Sequence, residues 1–61
     1  MTDAYRIEAL LDLVDETRTA KPDLSQQLAV VGLAERRGRG FWPTNAGWIV
    51  LGDRGRAFDA R

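Results

Sequence analysis

Ile7, Leu10, Leu11 and Val14 fall at i, i+3, i+4 and i+7, with Arg6, Glu8, Asp12, Asp15 and Glu16 on the positions between and after them. That spacing is one apolar stripe on a helix, and it predicts a helix over 4–17 that ends near Arg18. Thr2 or Asp3 is placed to cap its start. A second helix is predicted over 23–31. Pro22 suits a first turn, Asp23 stands as N-cap with Gln26 at capping-box spacing, and Leu28 and Val31 follow Leu24 at i+4 and i+7. Gly32 is placed to end this helix in the left-handed conformation.

The pattern then changes period. Leu33 to Arg37, the Gly38-Arg39-Gly40 turn and Phe41 to Pro43 read as two short strands of a hairpin. A helix running on through Gly32 to Arg37 is the competing reading. Strand alternation sends Phe41 and Pro43 to the core and Trp42 to the other side. Residues 44–51, TNAGWIVL, are two-valued: Thr44 is a good N-cap, whereas Trp-Ile-Val-Leu between glycines leans to a buried strand. Leu10, Leu11, Val14, Leu28, Val31, Leu33, Phe41 and Leu51 are expected to form one core.

The chain has 61 residues, enough for one domain, over 1–61. A domain of this size buries only about 60% of its unfolded surface, so its stability is marginal. It has neither cysteine nor histidine, which removes disulfides, thiolate metal sites and the commonest zinc ligand and general base. An idealised core or self-association is then the expected staple. No stretch approaches a membrane span, and the polar MTDAYR start is not a signal peptide, so a cytoplasmic protein is expected. There is no nucleophile-and-base pair and no phosphate-loop motif, so neither an enzyme nor a cofactor is expected.

Net charge is zero, but its distribution is uneven. Residues 1–31 hold six carboxylates against three bases. Residues 32–61 hold Arg36, Arg37, Arg39, Arg54, Arg56 and Arg61 against three carboxylates. An acidic half is joined to a basic one, and every cation of the basic half is arginine, suited to bidentate contact with phosphate or carboxylate.

The order of pieces adds to this. A helix closes on Gly32-Leu33; Glu35-Arg36-Arg37 and a glycine-flanked Arg39 follow; then Phe41, Thr44, Ala46 and Gly47 lead into an apolar run ending at Leu51. Over about 24–52 this resembles the wing region of winged-helix proteins, in abbreviated form, since two helices rather than three precede the hairpin. The resemblance implies an α+β fold: two helices, a short hairpin wing and a short third helix, with 44–51 helical. It also implies a small DNA-binding regulator, probed from DNA by Lys21, Ser25, Gln26 and Gln27 at the start of 23–31 and by Arg36, Arg37 and Arg39 on the wing, and acting as a homodimer. Glutamine suits adenine in the major groove, and arginine suits phosphate. The alternative is a protein-binding adaptor or inhibitor. Trp42, facing away from the core, and Trp48, at an exposed helix position, would then form its contact patch, because Trp and Arg are enriched at binding hot spots.

Overall fold

The computed structural model describes residues 2–59; Arg61, one of the basic residues counted above, lies outside them. Helix α1 spans Asp3–Val14 and α2 spans Pro22–Val30. Strands β1 (Ala34–Arg37) and β2 (Gly40–Pro43) form the hairpin, and α3 spans Asn45–Leu51. A 3-10 turn, Gly52–Gly55, and a short helix α4, Arg56–Asp59, follow. The fold is therefore α+β: helices around one two-stranded antiparallel sheet.

Thr2 caps α1, its hydroxyl accepting the Tyr5 N–H. The helix stops at Val14, three residues before the expected end. Asp15 is the reason: its carboxylate accepts both the Thr17 N–H (2.9 Å) and the Thr17 hydroxyl (2.7 Å). A side chain that binds the backbone ahead of it competes with the next helical turn. Helix α2 begins one residue earlier than expected, at Pro22, with Lys21 as N-cap and no side-chain cap bond. Asp23 therefore lies inside the first turn, and the Asp23–Gln26 capping box does not form.

Gly32 has φ +81°, the left-handed conformation expected of it, and the chain leaves α2 there. Leu33 N–H then donates to the Leu28 carbonyl at 2.9 Å. The hairpin pairs Ala34 with Pro43, Glu35 with Trp42, Arg36 with Phe41 and Arg37 with Gly40. Residues 44–51 are helical, as the family pattern implied, and Thr44 is the pivot. Its hydroxyl donates to the Gly32 carbonyl (2.7 Å) and accepts the Gly47 N–H (3.2 Å), while its own N–H donates to the Leu33 carbonyl (3.1 Å). The turn after α2 is thereby tied to the start of α3. Gly47 completes the joint, because a Cβ there would run into the Leu33 carbonyl oxygen. The spacing Gly32–Leu33…Thr44-x-x-Gly47 is thus a description of one packed junction.

The core consists of Ala9, Leu10, Leu11, Val14, Leu28, Leu33, Ala34 and Leu51, with Leu10 and Leu28 fully enclosed. Helix α1 packs against α2, α3 and β2. Two expected members differ. Val31 is 53% exposed, since it follows the last helical residue and turns outward before Gly32; Phe41 is half-buried at the core edge. Trp42 and Trp48 are also corrected: both are half-buried against the core, not exposed. Their rings meet edge to face, with centroids 5.9 Å apart. On the second face of the hairpin Trp42 is covered by the Trp48 ring, and it shares a groove with Val14 and with Ala57 and Phe58 of 52–59, a segment to which no element was assigned from sequence.

Candidate nucleic-acid interface

Most cations meet carboxylates of their own half of the sequence, and Arg54 ties the basic half to Glu8 of the acidic one. Arg18 donates to Glu8 at 2.8 Å and to Asp12 at 3.4 Å, and Arg54 donates to the other oxygen of Glu8 at 2.8 Å. Lys21 reaches Asp12 at 3.4 Å, Arg56 reaches Asp53 at 2.9 Å, and Arg6 lies 3.5 Å from Asp3. The guanidinium of Arg18, then that of Arg54, holds the Glu8 carboxyl below its ordinary value. The Thr17 hydroxyl, then its N–H, does the same for Asp15, and Glu8 raises Arg18 further.

The hairpin is different. Gly38, at φ +56°, turns the chain so that Arg39 stands at its tip. Arg37 has a marginal partner, Glu35, at 4.0 Å. Arg36 lies over the Phe41 ring, 5.6 Å from its centroid, a cation–π contact that orients the guanidinium without neutralising it. Neither Arg36 nor Arg39 forms an ion pair with a described residue, and all three arginines are exposed. Unneutralised positive charge is therefore concentrated on 36–39.

The residues expected at the start of α2 are divided. Gln26 and Gln27 are exposed on one face. Ser25 is only 3% exposed: it lies three residues before Leu28 and shares its buried side, so it is withdrawn from the outward face that carries Gln26 and Gln27. Lys21 is exposed but engaged with Asp12. Sequence reasoning missed what lies beside the glutamines. Val30 and Val31, 78% and 53% exposed, line a shallow groove with Gln26, Gln27 and Arg6. The buried Nε of Arg6 there has no hydrogen-bond partner. The available signal was the helix period: Gln26 and Val30 are four apart, so an outward Gln26 implies an outward Val30.

A second groove lies between the hairpin tip and the first turn of α2, with Arg39 and Phe41 on one side and Pro22 and Ser25 on the other. Among the described residues no group of three acidic side chains is placed to hold a metal ion, and no helix is long and apolar enough to cross a membrane. Comparison with protein-family models, with curated proteins and with solved structures finds no match.

Proposed function

We propose that this chain is a small DNA-binding regulator of winged-helix type, with the hairpin as its wing and α2 as its reading helix. The observation that supports this best is the charge left over after internal pairing. Arg6, Arg18, Lys21, Arg54 and Arg56 each meet a carboxylate, whereas Arg36 and Arg39 meet none among the described residues. A zero net charge thus coexists with a local cationic tip, which is what a phosphate backbone attracts. In this reading Arg36, Arg37 and Arg39 hold phosphates, and Gln26 and Gln27 present amides able to pair with adenine in the major groove. One module of this size binds weakly, so a homodimer reads two half-sites.

Fluorescence anisotropy on a labelled duplex, repeated across salt concentrations, tests it. The Arg36→Ala, Arg39→Ala double variant is expected to lose affinity for all sequences alike and to lower the salt slope by roughly two. Gln26→Ala is expected to relax sequence preference instead. Failure of the native chain to bind any duplex at about 50 mM salt, where phosphate contacts are strongest, removes the reading.

A protein-binding role is the second reading, and one observation favours it: the exposed Val30–Val31 pair beside Arg6 and Gln27. Apolar side chains grouped on a surface mark contact sites. This moves the contact away from Trp42 and Trp48, which are half-buried against each other. The two readings compete for the same face of α2. A chain that shifts no duplex, yet sediments as a dimer that Val30→Ser dissociates, belongs to the second.

A further inference from the structure

The groove between the hairpin tip and α2 has the composition of a small-molecule site. Its volume is about 320 Å³, at the low end of ligand pockets. Leu13, Ala20, Pro22 and the Phe41 ring give it apolar walls, drawn from α1, the loop before α2, α2 and β2. Two polar side chains open into it. Arg39 is the one charged residue of the lining and forms no ion pair with a described residue. Ser25 is the one buried polar residue of the described core, 3% exposed. Its hydroxyl makes no hydrogen bond with any described residue, although its N–H is engaged by the Lys21 carbonyl at 2.9 Å. The hydroxyl is not among the fully enclosed polar atoms, so at the groove it can meet water or a ligand.

These features specify the ligand chemically. The guanidinium selects an anion, preferably a planar carboxylate that it can hold through two N–H groups. The Ser25 hydroxyl adds one neutral hydrogen bond, and the apolar walls with an aromatic ring select a flat hydrocarbon body. No carboxylate lines the groove, so an anion entering it meets no like charge from its walls. We propose that this groove binds a small amphipathic carboxylate of the aryl acid class, with Arg39 on the carboxylate, Ser25 at its edge, and the ring between Phe41 and Pro22. The inference is argued from the lining of this groove, but Arg39 is shared with the phosphate contacts proposed above, so such a ligand and DNA would compete for it.

The test is a titration of the isotopically labelled full chain with 2-naphthoate, followed by amide chemical shifts, with 2-naphthalenemethanol as the neutral counterpart. Saturable shifts confined to residues near 13, 20–25 and 39–41 are expected, with a Kd of about 1 mM or tighter. The alcohol is expected to bind about tenfold more weakly. Arg39→Gln should abolish that preference while leaving the alcohol's affinity unchanged. Ala20→Phe, at an exposed position that tolerates bulk, should fill the groove and exclude both. Ser25→Ala should weaken both by a smaller factor. The proposal is overturned if no saturable shift develops by about 10 mM, well beyond the Kd expected for a ligand of this size. Equal affinity for acid and alcohol, or shifts that survive Ala20→Phe in a folded chain, overturn it as well.

Discussion

On the α1 side of the molecule Arg18, Lys21 and Arg54 gather round Glu8 and Asp12, while on the hairpin, Arg36 faces a ring and Arg39 faces a groove. Both regions are rich in arginine, and both lie at the surface. They differ in what the arginines do. Around α1 they join segments distant in sequence: Glu8 connects the N-terminal helix to Arg54 in the 3-10 turn after α3. On the hairpin their contacts stay within the hairpin, Arg36 on Phe41 and Arg37 beside Glu35, and the strands are held chiefly by their backbone ladder and by the Thr44–Gly47 junction. A residue type or a net charge therefore says little about whether a cation stabilises the fold or is presented outward; the positions of the carboxylates decide it.

The strongest way to break this comparison is to remove the junction on which the hairpin rests. Gly47→Ala places a methyl group against the Leu33 carbonyl oxygen and within 3.1 Å of the Pro43 Cβ. One neighbour is backbone and the other an atom of a rigid proline ring, neither a mobile side-chain end, so the helix or the hairpin must shift. Overpacking of this kind costs about 3 kcal/mol, and a domain of this size has only about 3–5 kcal/mol in hand. Denaturant titration should show a largely unfolded chain; an unchanged midpoint would mean that the hairpin does not depend on that contact.

A smaller effect is expected from the paired side. Glu8 and Asp15 both have folded-state values held below their ordinary 4.5 and 3.8. Groups of this kind contribute stability above the unfolded-state value and lose it as pH falls through the folded one. Melting temperature should therefore fall below about pH 4.5. Glu8→Gln should lower it near neutral pH and have progressively less effect in acid. Added salt should narrow the gap, since these groups are open to solvent. A constant difference between the two chains from pH 7 to pH 3 would show that Glu8 acts through packing instead.

The smallest effect belongs to the hairpin itself. Arg36→Ala with Arg39→Ala should leave stability within about 0.5 kcal/mol of the native chain, as for surface substitutions that break no cap, core or ion pair. Thermal melting of the double variant checks this. A large loss would mean that the Arg36–Phe41 contact supports the fold, and would blur the distinction between the two regions.

Local chemistry was readable and long-range cover was not. Gly32, Thr44 and Gly47 act on neighbours reached within a turn or across the short hairpin, so their spacing carries their roles. The end of α1 was misplaced because Thr17 and Arg18 extend a plausible helix, while the Asp15 side chain offers the backbone an alternative of similar local cost. The exposure of Val31 and the burial of Ser25 depend on where α2 starts and stops, and a shift of one residue in that short helix changes which side chains face inward. Trp42 was placed outward because strand alternation holds for an uncovered sheet, and Trp48 because the family pattern puts an exposed helix position after Gly47. Each ring is covered in part by the other, a contact between β2 and α3 that neither period shows, and Phe58, in a segment with no strong periodicity, packs at the edge of the core. Of the candidate contact residues, Lys21, Gln26, Gln27, Arg36, Arg37 and Arg39 are at the surface, whereas the groove that joins Arg39 to Ser25 needed three-dimensional proximity to be seen.

The Thr44 hydroxyl also has a kinetic meaning. Its bond to Gly32 closes a loop across twelve residues, while the bond from Arg54 to Glu8 spans forty-six. The longer closure costs about 1.2 kcal/mol more in chain entropy. Segment 32–47 can therefore close on itself before the N-terminal helix is pinned, and it can stay closed when that helix frays. The surface that carries Arg36 and Arg39 is thus built on the part of the chain whose ends are easiest to bring together.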